Sequence, residues 1–162
     1  MSRLVKDWGF ALVIGAVVYL LTSWWSTRGP DITGAAPAFT VQDTTGKTWN
    51  LADLHGQTVV LNFWASWCGP CKAEIPEFTA FAKEHPEITV LGAAVESGDE
   101  EAVAKAAKRF GVGYPVFVAP GDLVSNYGIS VFPTTFVIDP DGNVKTAHTG
   151  AMSRGALEGA VR

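Results

Sequence analysis

The chain has 162 residues, 48% of them hydrophobic and 17% charged, which excludes a disordered polypeptide and permits one packed domain with a short extra segment. A net charge of −4 leaves no basic footprint for nucleic acid. Its 2 cysteines sit close together, so a framework of structural disulfides is excluded and both sulfurs belong to one chemical site.

Residues 8–25 (WGFALVIGAVVYLLTSWW) carry no charge. At helical rise they span about 27 Å, close to the ~30 Å of a bilayer's hydrocarbon core. Trp8 at one end, and Trp24 and Trp25 at the other, match the aromatic belts of a membrane-spanning helix. Arg3 and Lys6 precede the span, so residues 1–7 are predicted to be cytoplasmic and everything after Trp25 to lie across the membrane. The competing reading is a cleaved signal peptide. Bulky Trp24 and Trp25 stand where small residues would be needed, and Thr33-Gly34-Ala35 comes several residues too late. Residues 26–36 (STRGPDITGAA) read as a linker, and 37–162 as one acidic exported domain.

Phe39-Thr40-Val41, the turn signal Asp43-Thr44-Thr45-Gly46 and Thr48-Trp49-Asn50 predict a hairpin. Thr58–Trp64 is an apolar, β-branched run and predicts a central buried strand. A helix is predicted from Pro70 to about His85, with the proline in its first turn. Ile88–Val95 reads as another buried strand. Ser97 and Glu100 have capping-box spacing, predicting a helix capped by Ser97 that faces inward through Val103, Ala106 or Ala107, and Phe110. Strands follow at Tyr114–Val118 and Thr134–Ile138. Asp141-Gly142 turns the chain into Val144–Thr149, and Ser153–Val161 forms a final short helix. This order is α/β: a central mixed sheet flanked by helices, preceded by an N-terminal hairpin and one transmembrane helix.

Trp67-Cys68-Gly69-Pro70-Cys71 falls where the central strand ends and a helix begins. There, unpaired N–H groups and the helix dipole favour an anion, so the Cys68 thiol is expected to ionise below its free value. Cys71 lies one turn inward and more shielded. The pair suits thiol–disulfide exchange: Cys68 attacks a substrate disulfide, and Cys71 then resolves the mixed disulfide. A zinc site needs about four ligands, and His55, His85 and His148 lack ligand spacing. Neither a metal nor a cofactor is therefore expected. Glu74 lies on the helix face shared by Cys71, Ile75, Phe78, Phe81 and Ala82, whereas Glu77 and Glu84 do not. A carboxyl on that face should have a raised pKa and is a candidate proton carrier for Cys71. The alternative is a surface glutamate that snorkels to water.

Residues 59–76 (VVLNFWASWCGPCKAEIP), with Phe132-Pro133-Thr134-Thr135 downstream, resemble the thioredoxin superfamily. The closer resemblance is to its membrane-anchored, extracytoplasmic TlpA/ResA-like branch, and it spans residues 34–155. It implies a thioredoxin fold, a redox-active Cys68–Cys71 disulfide, and a cis proline at Pro133 facing the cysteines. Phe132 would be held open for an extended substrate strand, with Trp67, Gly69 and Pro70 as active-site support. A glutamate at position 74 is typical of the branch, and Glu96 matches a second acidic position. Cytosolic thioredoxins carry a buried aspartate where this chain has Asn62, so the proton role passes to Glu74. Pro76 matches the helix-kink proline and reads as structural.

The resemblance implies an extracytoplasmic reductase of disulfides in exported proteins, with apocytochrome c thiols as one precedent. It also implies a membrane thiol-transfer donor of the CcdA or DsbD type. The alternatives are a disulfide oxidase or isomerase, and a copper(I)-binding thiol module, since soft thiolates bind that ion. A thiol peroxidase would need Pro-x-x-x-Thr-x-x-Cys, and Leu61 and Ala65 occupy the proline and threonine positions.

Overall fold

The computed structural model describes residues 13–20 and 32–162. Residues 13–20 are helical (α1). Among the described residues no helix is long and apolar enough to cross a membrane. The rest of the 8–25 span, residues 1–7 and most of the linker lie outside the described residues.

From residue 32 onward the chain builds a six-stranded mixed sheet in the order β1 (Gly34–Ala35), β8 (Asn143–Thr149), β7 (Thr134–Ile138), β4 (Val59–Trp64), β5 (Thr89–Ala94), β6 (Val116–Val118), with a separate hairpin of β2 (Thr40–Gln42) and β3 (Thr48–Asn50). The centre is β4 (Val59–Trp64), all six residues buried. It runs parallel to β5 (Thr89–Ala94) and antiparallel to β7 (Thr134–Ile138). Because side chains alternate across a sheet, Val59, Leu61 and Phe63 feed one core while Val60 and Trp64 feed the other. Asn62 is thereby turned toward the second core, which contains α2 (Gly69–Glu84).

That second core also gathers Val103 and Ala107 of α3 (Glu100–Phe110) and Leu157 of α5 (Arg154–Val161). The first core is covered by the hairpin of β2 (Thr40–Gln42) and β3 (Thr48–Asn50), by the short 3-10 helix Leu51–Leu54, and by Leu123 of α4 (Gly121–Asn126). Helices thus flank both faces, as the element order predicts.

The hairpin turn is organised by Asp43. Its carboxylate accepts from Thr45 N at 2.8 Å, Thr45 Oγ1 at 2.6 Å, Lys47 N at 3.1 Å and Trp49 Nε1 at 2.8 Å. Thr44 N donates to Val116 O at 2.9 Å, pinning the turn to β6 (Val116–Val118).

Several details depart from the sequence reading. Gly34–Ala35, assigned to the linker for their small side chains, form β1 and pair with β8 (Asn143–Thr149). Tyr114 precedes β6 rather than lying within it. The cap of α3 is Asp99, whose carboxylate accepts from Ala102 N at 2.9 Å. Ser97 does not cap, because its hydroxyl is engaged elsewhere: it donates to Val95 O and accepts from Ser66 N, each at 2.9 Å. Helix α4 has no counterpart in the reading, being 6 residues long with a Pro120 N-cap that supplies no side-chain hydrogen bond.

Candidate active site

The central strand β4 ends at Trp64 and, after the short turn of residues 65–68, α2 begins with Cys68 as its N-cap. Its Sγ accepts from Cys71 N at 3.2 Å, which places the sulfur among the free N–H groups of the first turn. Cys68 and Cys71 are joined as a disulfide with their Cα atoms 5.3 Å apart. The two sulfurs differ in access: Cys68 is 5% exposed and Cys71 fully buried. Gly69 and Pro70 make the exposed first turn that carries the chain between them.

The rim is built from three segments. Trp67 is 58% exposed and meets Phe132 edge-to-face, with ring centroids 5.7 Å apart. Its Nε1 donates to Glu96 O at 3.1 Å. Glu96 itself adopts a left-handed backbone with φ +47. It reaches Trp67 through its carbonyl, while its side chain is exposed. Phe132-Pro133 is a cis peptide, as the resemblance implies, and Pro133 O accepts from Gly150 N at 2.8 Å. Between these segments runs an open groove of about 680 Å³, lined among others by Cys68, Trp67, Glu96, Ile129, Val131 and Phe132.

Behind the disulfide lies Glu74, one helical turn past Cys71 and 2% exposed. It does not snorkel. Its Oε1 accepts from Asn62 Nδ2 at 2.9 Å and its Oε2 from Met152 N at 3.1 Å. Burial pushes its pKa up to about 7, against the pull of those two hydrogen bonds. Asn62 Nδ2 also donates to Thr135 Oγ1 at 3.1 Å, so β4, α2 and β7 converge on this carboxyl. Tyr114 is buried near it, and burial together with the Glu74 charge holds its phenol well above the usual range. Among the described residues no group of three or more His, Cys, Asp or Glu side chains is gathered to hold a metal ion.

Known proteins match this architecture. The AhpC/TSA family matches residues 32–147. The thiol-disulfide oxidoreductase ResA of Geobacillus kaustophilus (strain HTA426) is 34% identical over 97% of this chain and 93% of its own. The ResA of Bacillus subtilis (strain 168) is 39% identical over 75% of this chain and 69% of its own. The chain belongs to the ResA thiol-disulfide oxidoreductase family. Among solved structures, a thiol:disulfide interchange protein of the thioredoxin family from Chlorobium tepidum TLS superposes with a TM-score of 0.72 at 32% identity, covering 80% of this chain and 94% of that one.

The structure brings every sequence-predicted residue of this ResA-family site into one region. Trp67, Cys68, Gly69, Pro70, Glu96 and Phe132 form the mouth, with Pro133 buried beside it, Cys71 buried behind Cys68, and Glu74 and Asn62 forming the buried floor. Three contributors carry no local signal. Thr135 and the Met152 amide reach the floor across sequence separations of 73 and 78 residues. Ser97 anchors the strand-to-helix turn through Ser66 N.

Proposed function

We propose that this chain reduces disulfides of proteins outside the cytoplasm, held at the membrane by residues 8–25, with its N-terminus in the cytoplasm. The observation that carries the reading is the inequality of the two sulfurs: Cys68 caps a helix and lines an open groove, while Cys71 is fully buried one turn behind it, on the face occupied by Glu74.

In the dithiol form, the unpaired N–H groups at the start of α2 stabilise the Cys68 thiolate. That sulfur attacks one sulfur of a substrate disulfide seated in the groove. The other substrate sulfur leaves and takes a proton. Cys71 then gives its proton to the Glu74 carboxylate and attacks Cys68 Sγ. The Cys68–substrate bond breaks, and the second substrate sulfur departs reduced. The exposed edge beside Phe132 and Pro133 suits an extended substrate backbone, a form of β-augmentation. Apocytochrome c thiols are one client class, and a membrane thiol-transfer protein of the CcdA or DsbD type would regenerate the dithiol.

The test is insulin reduction together with the redox potential. Wild-type chain should precipitate insulin with a potential near thioredoxin's, about −270 mV. Cys68→Ser should be inactive. A potential near about −120 mV would instead assign an oxidase, and full activity in Cys68→Ser would overturn the exchange mechanism.

A further inference from the structure

Asn62 is 1% exposed and satisfied at only one end. Its Nδ2 makes two hydrogen bonds, to Glu74 Oε1 and to Thr135 Oγ1, while its Oδ1 has no partner. A buried amide oxygen without a donor is unfavourable. The amide is held in this orientation by the two acceptors facing its nitrogen. One of them, the Thr135 hydroxyl, donates as readily as it accepts. The other, Glu74 Oε1, accepts as a carboxylate but turns donor when protonated. Protonation at Oε1 with its hydrogen directed at Asn62 would leave an N–H group facing an O–H group, two donors in contact. A half-turn of the amide removes that conflict. It exchanges Oδ1 and Nδ2 within nearly the same envelope, so one oxygen then accepts from both Glu74 Oε1–H and Thr135 Oγ1–H, and the unpartnered end of the amide becomes its nitrogen.

We propose that the Asn62 side-chain amide turns over whenever Glu74 gains or loses a proton, which makes Asn62 the positioning residue for the proton step at Cys71. The proposal rests on Glu74 being the acceptor in that step. The proton leaves Cys71 Sγ for Glu74 Oε1. The thiolate forms the Sγ–Sγ bond as the Cys68–substrate bond breaks, and the electron pair goes to the departing sulfur. Met152 N donates to Oε2 throughout, so the carboxyl keeps its place while the amide reverses. The groups facing Glu74 are Asn62 from β4, the Met152 amide from the segment before α5, and the Tyr114 phenol from the segment before β6, with Cys71 three residues before it on α2. Thr135 of β7 completes the set through Asn62. No salt bridge among the described residues reaches it.

The experiment is NMR on the full chain, oxidised, with carboxyl-labelled glutamate and ¹⁵N-labelled asparagine. Above the Glu74 midpoint, the Asn62 Nδ2 protons should show contacts to the Thr135 methyl and the Glu74 methylene. Those contacts should vanish below it with the same midpoint. In Asn62→Leu the carboxylate loses a donor and the protonated carboxyl loses an acceptor, so the two losses offset and the Glu74 proton affinity should change by well under about tenfold. The acid limb of insulin reduction should shift as little. Unchanged Asn62 contacts across the Glu74 titration would overturn the proposal, as would a rise of about tenfold or more in Glu74 proton affinity in Asn62→Leu, the mark of a donor that serves the carboxylate alone. The NMR readout needs no turnover and no folded variant, so a failed coupling is distinguishable from a failed assignment of the reductase chemistry.

Discussion

Replacing Glu74 with glutamine should strengthen the fold at alkaline pH while weakening the chemistry. The carboxyl titrates at about 7 in the folded protein against 4.5 for a free glutamate, and burial is the main cause. Between those values the folded state holds a proton that the unfolded chain has released. Folding stability therefore falls as pH rises through this window. The full difference is about 3 kcal/mol, taking ~1.4 kcal/mol for each tenfold change in proton affinity. Glu74→Gln removes the titration but keeps the shape and an acceptor for Met152 N. Urea unfolding of the oxidised proteins, from pH 4 to 9, should show near-equal stabilities at the acid end. The variant should be ahead by about 3 kcal/mol above pH 8. A gap that stays constant with pH, or one that favours the wild type at pH 8, would refute the assignment of a proton-holding buried carboxyl. Disulfide reduction by the same variant should fall, because Cys71 loses its proton acceptor.

Cys71→Ser should leave Cys68 able to attack but nothing to resolve the product, so a mixed disulfide with substrate should accumulate and be visible on non-reducing gels. Trp67→Ala should raise KM for a protein disulfide by about tenfold, the equivalent of ~1.4 kcal/mol of lost binding. It should barely shift the melting temperature, since the ring is 58% exposed. Asp43→Ala should cost about 2 kcal/mol by stranding the Trp49 and main-chain donors of the hairpin turn, and should leave the redox potential unchanged. The Asp43 carboxyl sits below its usual range: burial acts to raise it, and hydrogen bonds from Thr45, Trp49 and Lys47 outweigh that. The stability that Asp43 supplies should therefore be lost as pH falls through the carboxylate range.

The parts of the site legible in the sequence are those that local periodicity writes down. The run Val59–Trp64 is buried on both faces, so it is apolar throughout except at Asn62. The spacing of Cys71, Glu74, Ile75, Phe78, Phe81 and Ala82 marks the inner face of α2, and the structure buries the first five and half-buries Ala82. The parts that stayed hidden depend on register or on competition. Thr135 faces Asn62 only because β7 pairs with β4 in one register, Asn62 opposite Thr135. The cap of α3 falls two residues past the Ser97 predicted for it. The hydroxyl of Ser97 was taken by Ser66 N and Val95 O, and Asp99 took the helix. Helix α4 is too short to show a period.

Glu74 and Asp43 show how one residue class is fitted to two tasks. Each side chain is 2% exposed, so burial presses both toward the neutral form. Asp43 has four donors aimed at it from its own turn, which hold it ionised and make it a fixed anchor of the hairpin. Glu74 has two, one of them an amide whose other end is unsatisfied. Two donors are too few to overcome burial, so the carboxyl is poised between its two states near neutral pH. A group that must take a proton from a buried thiol and return it needs that balance. Adding donors to Glu74 would make it a better structural anchor and a poorer proton acceptor.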